Sequence, residues 1–175
     1  QAFVRLRLER GAVLTRGDRF ILRAYSPPMT IAGGRVLDPN PPRGGIRTAA
    51  GRRRLEQFWD GTGPRGIEAE DRALTALVGE RGLVGFSHME LVTRAGVPPE
   101  SVEAVSVRLV SSGKIHRIGD LLVDVAALNE GRECLVATLA AFHDSEPLQE
   151  GFPREEARER LFGHAGSSLH REDIS

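Results

Sequence analysis

The chain has 175 residues and a mass of 19.1 kDa, which is enough for one or two small domains. Lysine plus arginine and aspartate plus glutamate each number 24, so no overall positive field would draw the chain to nucleic acid, and any RNA contact is expected to be a local patch. The single cysteine, Cys134, excludes an internal disulfide and a cysteine-rich zinc site, and no apolar run approaches the roughly 20 residues of a membrane span, so we expect a soluble, cytoplasmic protein.

The first 42 residues are predicted to be all β. Residues 1–8 alternate apolar and polar side chains with a period of two, which is typical of an antiparallel strand. Short apolar runs separated by turn and breaker residues follow. The runs are 20–22, 29–31 and 36–37, and the punctuation is Gly17-Asp18, Pro27-Pro28 and Gly33-Gly34, the last read as a tight turn or bulge. This pattern predicts part of a small antiparallel barrel, whose exposed strand edges favour self-association.

Residues 43–66 have the composition of a basic Pro/Gly linker that leads into a short helix. Between Arg35 and Arg54 six arginines stand against one acid, Asp38. This density indicates either an RNA phosphate contact or a solvated connector, and we prefer the connector because charge runs are usually wet surface. The candidate RNA-contact residues of this segment are Arg43, Arg47, Arg52, Arg53 and Arg54.

Residues 67–125 are predicted to form a winged helix, which consists of three helices and a β-hairpin. Apolar residues at three-and-four spacing indicate the helices, which we place at 67–81, 88–94 and 100–112. Two short β runs, 114–118 and 121–123, flank the hairpin connection Gly119-Asp120.

Winged helices often read DNA with their third helix and basic wing residues. Here Glu100 and Glu103 open the third helix and Arg108 is its one cation, and acids that face a phosphate backbone weaken binding. Lys114 and Arg117 make a modest positive spot in the wing and are further candidate RNA contacts. We prefer a structural module that packs against its neighbours.

Residues 126–175 begin a second helical unit. A helix is predicted at 126–143, and Pro153 suits the first turn of another helix at 154–162. No third helix or wing follows, so the segment is predicted to be the first part of a second winged helix. Cys134 is expected to be a small buried apolar residue of this unit.

No catalytic, cofactor or metal site is predicted for this chain. His88 and Glu90 lack the second histidine of a H-E-x-x-H zinc site. The phosphate loop G-x-x-x-x-G-K-[ST] is absent, because the only lysine, Lys114, is followed by Ile115. We therefore expect that the chain is not an enzyme.

Two stretches resemble translation elongation factors. GDRFILR followed by TIAGGRVLDP is similar to the end of the third domain of factors related to EF-Tu, and AGGRVLDPNPPR resembles the selenocysteine-specific factors of the SelB family. Residues 126–161 resemble the start of that family's second winged helix, where an H-x-x-x-P-L run precedes G-x-P-x-E-E-x-R. The matching positions are His143, Pro147, Leu148, Gly151, Pro153, Glu155, Glu156 and Arg158.

The resemblance implies a mixed, mainly α fold: a partial EF-Tu-like antiparallel β-barrel followed by winged-helix modules. It implies four segments, which are the end of barrel domain III (1–42), the linker (43–66), winged helix 1 (67–125) and the first part of winged helix 2 (126–175).

The resemblance also implies a function. The chain would be a C-terminal fragment of a factor that delivers selenocysteinyl-tRNA to the ribosome at UGA codons, with GTP and magnesium bound elsewhere in the intact protein. Its barrel end and spacer modules would lead to modules that hold an mRNA hairpin. The implied partners are selenocysteinyl-tRNA, the ribosome and the mRNA hairpin, with no membrane. The alternatives are a winged-helix DNA-binding transcriptional regulator and a protein-interaction scaffold.

Overall fold

The computed structural model describes residues 2–42, 46–59, 66–146, 148 and 151–160. These residues form a two-stranded antiparallel sheet, a helical region with a small three-stranded sheet, and a long helix, which confirms the mixed, mainly α fold class. The strands are β1 Arg19–Arg23, β2 Thr30–Arg35, β3 Phe86–Ser87, β4 Ile115–Ile118 and β5 Leu121–Asp124. The helices are α1 Ala49–Phe58, α2 Ile67–Gly79, α3 His88–Thr93, α4 Val102–Ser111, α5 Val125–Ser145 and, at 154–160, α6.

The N-terminal sheet differs from the prediction at its glycine pair. Gly33-Gly34 lies inside β2 instead of forming a turn ahead of a third strand, and residues 36–37 form no strand. Gly34 pairs with Phe20 of β1, and a Cβ on Gly34 would lie 2.5 Å from the Phe20 ring. The missing side chain is therefore a packing requirement of the strand pair and not a turn signal.

The strand predicted at the N-terminus is also wrong, because residues 2–8 have no regular secondary structure. A strand needs a neighbour to accept its ladder hydrogen bonds. Within the described residues, β1 and β2 pair only with each other, so no strand edge is occupied by residues 2–8 and no closed barrel forms.

The winged helix is built by α2, β3, α3, α4, β4 and β5 in chain order, with an antiparallel sheet in the order β3-β5-β4. Each predicted helix and strand of this module is found within two residues of its expected ends. Its core holds apolar side chains from every helix and strand, and Phe58 of α1 is fully buried among them. The core residues are Phe58, Ala73, Leu74, Leu77, Val78, Phe86, Leu91, Ala95, Val97, Val105, Leu109, Ile115 and Leu122.

Local signals explain where these elements start and end. Ser87 caps α3 by accepting a hydrogen bond from the Glu90 N–H (3.1 Å), while the Glu90 carboxylate accepts one from the Ser87 N–H (2.9 Å). The wing turns at Gly119-Asp120, where Gly119 has φ +63°, as the first loop position of a type II′ turn requires.

Helix α5 runs on from β5 without a break. Asp124 caps it by accepting from the Ala127 N–H (3.0 Å), and its 21 residues span about 32 Å. Its first half packs on the winged helix, where a Cβ on Gly131 would lie 2.7 Å from Leu83. Within the described residues, no helix combines the length and the apolar composition that spanning a bilayer requires.

Candidate nucleic-acid interface

The arginine-rich segment meets the winged helix at a cluster of four ion-paired residues. The side chain of Asp38 is only 1% exposed and accepts hydrogen bonds from both Arg54 and Arg94. The Nε and Nη2 atoms of Arg94 lie 3.2 and 3.0 Å from the carboxylate oxygens of Asp38. Glu80 accepts a hydrogen bond from Arg54 Nη2 (2.9 Å) and forms an ion pair with Arg94, whose Nη2 lies 3.6 Å from its carboxylate. We call Asp38, Arg54, Glu80 and Arg94 the junction cluster.

The electrostatics of the junction cluster favour its charged state. Burial alone would raise the pKa of Asp38, but hydrogen bonds from Arg94 and Arg54 outweigh burial and hold that pKa below its usual value. Burial likewise lowers the pKa of Arg54, but hydrogen bonds to Glu80 and Asp38 more than reverse this, so its pKa is raised. Asp38 and Arg54 therefore stay ionised at neutral pH.

Backbone contacts reinforce the joint between the N-terminal segment and the winged helix. Arg16, only 4% exposed, donates its N–H to the Arg94 carbonyl (3.0 Å) and its Nη2 to the Phe58 carbonyl (3.0 Å). Gly96 has φ +71°, and a Cβ there would lie 2.5 Å from the Arg16 carbonyl oxygen. Leu37 packs on the winged-helix core. The N-terminal segment, α1 and the winged helix are thus packed as one unit.

The candidate RNA-contact arginines of the linker have different environments. Arg54 is held by the junction cluster, with its guanidinium 4.6 Å from the centre of the Phe58 ring. Arg47, Arg52 and Arg53 are exposed, and none of them forms an ion pair within the described residues. Arg43 lies outside those residues. Contact with RNA stays a prediction for the exposed arginines, whereas Arg54 is already occupied by carboxylates of this chain.

The arginines of the third helix and the wing are paired with carboxylates of this chain. Arg108 donates its Nε to Asp71 (2.7 Å) and its Nη2 to Glu70 (2.9 Å). In the wing, Arg117 donates to Glu103 (2.6 Å), and this hydrogen bond lowers the pKa of Glu103 and raises that of Arg117. Because its only cation is engaged by α2, helix α4 has no free positive charge for a phosphate backbone.

Lys114 remains the exposed cation of the wing and has no ion pair in the part of the chain that the structure describes. His88 is the first residue of α3, and its Nε2 lies 3.3 Å from the Oγ of the buried Ser106 on α4. Among the described residues, no group of three or more His, Cys, Asp or Glu side chains is arranged to hold a metal ion.

The expectation that Cys134 is buried is wrong. Cys134 lies on α5, which has no fully buried residue, and its side chain is exposed.

The whole-chain charge balance conceals a strong polarity along the sequence. Residues 1–59 contain twelve arginines and four acids, whereas residues 60–175 contain twelve cations and twenty acids. Counting charge for each predicted domain reveals this polarity from sequence alone. Several exposed arginines of residues 1–59 make no ion pair within the described residues. These are Arg7, Arg10, Arg19, Arg23, Arg47, Arg52 and Arg53.

Comparison with known families agrees with this architecture. Residues 1–43 match the family model described as the beta-barrel domain of selenocysteine-specific elongation factor, and residues 136–169 match the model described as the winged helix of elongation factor SelB. The second match begins inside α5. No curated protein matches the chain. Two segments of the chain thus match domain models of selenocysteine-specific elongation factors in chain order, with a winged helix between them, and these matches support a relationship to the SelB family.

Proposed function

We propose that the chain acts in a factor that delivers selenocysteinyl-tRNA to the ribosome at UGA codons in a GTP-dependent manner. Within that factor, the described residues of the N-terminal segment, α1, the winged helix and α5 form a stiff joint between the barrel and the winged-helix modules that lead to the mRNA hairpin. The observation that carries this proposal is the junction cluster, which joins residues from the end of the barrel segment, α1, α2 and the end of α3.

A joint of this kind must hold two modules at a constant angle. Ion pairs restrict geometry most when they are shielded from water and share several partners, since moving one partner leaves the others unpaired. Asp38 accepts from two guanidiniums and from the Asn40 N–H (3.0 Å), so no single rotation releases it. This arrangement supports a role in holding the tRNA-binding and mRNA-binding parts of the factor in a fixed relative position.

Helix α5 extends the same stiff unit toward the next module. It is continuous from the cap at Asp124 to Ser145, while the family match to the second winged helix begins at residue 136. A helix shared by two modules fixes both their separation and their relative rotation, because each added residue turns the helix by about 100°. GTP and magnesium are proposed for the intact factor, where this chain contributes geometry and not catalysis.

Exposed arginines beside the joint are proposed to touch RNA. Arg52 and Arg53 lie on α1, and Arg47 precedes its cap at Thr48. They extend the arginine-rich part of the chain, residues 1–59, up to the junction cluster. An RNA backbone bound by these arginines would therefore lie close to the joint.

The test is selenium-dependent readthrough of an in-frame UGA codon followed by the mRNA hairpin, in cells that depend on the full-length factor containing these residues. We expect Asp38→Asn to reduce readthrough strongly and the matched change Asp144→Asn, at an exposed position of α5, to leave it unchanged. Readthrough that does not require the factor at all would refute the proposed function.

A further inference from the structure

The hairpin formed by β1 and β2 carries one exposed face that the joint does not use. Exposure alternates along β1, so Arg19, Ile21 and Arg23 lie on the exposed face, and Ile21 is 70% exposed. Phe20 and Leu22 lie on the opposite, half-buried face.

The charge on this face has one sign. Arg19 and Arg23 are four residues apart on a strand, which separates them by about 13 Å. Neither makes an ion pair within the described residues, and no acid occurs in the sequence between Asp18 and Asp38. Two exposed guanidiniums without an ion pair on one strand favour a bound anion such as a phosphate backbone.

An exposed aromatic ring lies at the end of the same hairpin. Tyr25, in the loop between β1 and β2, is 100% exposed. Pro27 and Pro28 follow it and restrict the backbone of the loop, which lowers the entropy lost when a ligand orders it. Tyr25 follows Arg23 by two residues, and an exposed ring close in the chain to exposed arginines is the combination that sequence-tolerant single-strand binding uses, since any base can stack on the ring.

We propose that this face binds a single-stranded segment of RNA, with backbone phosphates at Arg19 and Arg23 and an unpaired base stacked on Tyr25. The proposal rests on the proposed function, because it adds a second RNA-contact surface to the arginines of α1. RNA is favoured over a protein partner because the segment between Asp18 and Asp38 holds arginines and no acid, and a polyanionic backbone complements charges of a single sign. A single strand is favoured over a duplex because paired bases are not free to stack on a side chain.

The experiment is fluorescence anisotropy with a labelled, unstructured 12-nucleotide RNA over a series of salt concentrations, using the 175-residue chain. Neutralising both hairpin arginines (Arg19→Gln with Arg23→Gln) is expected to reduce the slope of log affinity against log salt by about 1.4, since each phosphate contact on a single strand contributes about 0.7. Tyr25→Ala is expected to weaken binding about 5- to 150-fold, and Tyr25→Phe to retain it.

The matched control is the pair Arg72→Gln with Arg132→Gln. These two arginines are exposed, lie within residues 60–175, where acids outnumber cations, and make no ion pair within the described residues. The control variant has the same change in net charge as the hairpin variant and should leave the salt slope unaltered. Unfolding curves that superimpose on the wild type exclude misfolding as the cause of any loss.

Unchanged affinity and salt slope in the hairpin variants overturn the proposal. A dimer by light scattering that Ile21→Asp converts to a monomer, with RNA binding unaffected, also overturns it and makes the face a contact between two copies. Loss of RNA binding in Arg52→Gln with Arg53→Gln, but not in the hairpin variants, refutes this inference alone. Normal hairpin-dependent RNA binding with no requirement for the factor in UGA readthrough refutes the proposed function alone.

Discussion

Replacing Asp38 with asparagine tests the stiff joint most directly. The substitution keeps the shape of the side chain and one acceptor oxygen, but it removes the negative charge shared by Arg54 and Arg94. The remaining oxygen can still accept from the Asn40 N–H and from Arg94 Nε, which both contact Oδ1. The two hydrogen bonds to Oδ2, from Arg54 and Arg94 Nη2, are lost.

The structure sets the expected size of the effect. A hydrogen bond to a charged group contributes about 1.5–3 kcal/mol, so two such bonds correspond to about 3 kcal/mol at the low end of that range. The low end applies because the two arginine side chains are still 17% and 15% exposed and both retain Glu80 as a partner. For a chain of this size, a loss of about 3 kcal/mol lowers the melting temperature by about 6–12 °C.

Urea unfolding monitored by Trp59 fluorescence measures this change. Trp59 is the only tryptophan and directly follows the buried Phe58 at the end of α1, so its emission reports on the joint. Asp144→Asn removes the same charge from an exposed position and is expected to change the free energy of unfolding by less than about 0.5 kcal/mol. Equal stability of the Asp38→Asn and Asp144→Asn variants at pH 7 would show that the junction cluster does not hold the joint.

The pH dependence supplies a second check on the same residue. Because the folded pKa of Asp38 lies below its unfolded value of about 3.9, its contribution to stability is fully present above that pH and is lost as the pH falls through the folded pKa. The stability difference between wild type and Asp38→Asn should therefore be constant from pH 7 to about pH 5 and shrink below about pH 4. A difference that stays constant into strong acid would contradict the ion-pair explanation.

Other predictions follow from single contacts. Phe58→Ala, which empties a fully buried site, should lower the free energy of unfolding by about 3–5 kcal/mol in urea titrations, and a loss below 1 kcal/mol would contradict its place in the core. Gly131→Val should increase amide hydrogen exchange along α5, because its side chain would meet Leu83, whereas Ala137→Val on an exposed α5 position should not. Arg108→Gln should leave affinity for duplex DNA unchanged in gel-shift assays, since that guanidinium is held by Asp71 and Glu70, and a clear loss would favour a DNA-binding regulator.

Much of the winged helix could be read from the sequence because its signals are local. Helix periodicity, the Ser87–Glu90 capping box and the turn glycine Gly119 each depend on residues within a few positions of one another. Such signals determine where an element begins and ends before any distant contact forms, which is why those boundaries agree with the structure within two residues.

The barrel segment shows where local pattern is insufficient. Residues 2–8 have the alternation of a strand but lack a neighbour among the described residues, and the Gly33-Gly34 pair has the composition of a turn but lies within β2. Strand formation is a property of a pair of segments, so the pattern of one segment cannot decide it.

The sequence alone indicated the resemblance to SelB-type factors, the winged helix and the density of arginines near residue 50, but only the tertiary structure decided which of those arginines are exposed. Asp38 meets Arg54 after 16 residues and Arg94 after 56, and Glu80 joins them from the end of α2. No local pattern marks such a cluster, because its members are brought together only when the N-terminal segment packs on the winged helix. That packing shields Asp38 from water and commits Arg54 to a structural role, while Arg52 and Arg53, two positions and one position earlier on the same helix, remain exposed to solvent.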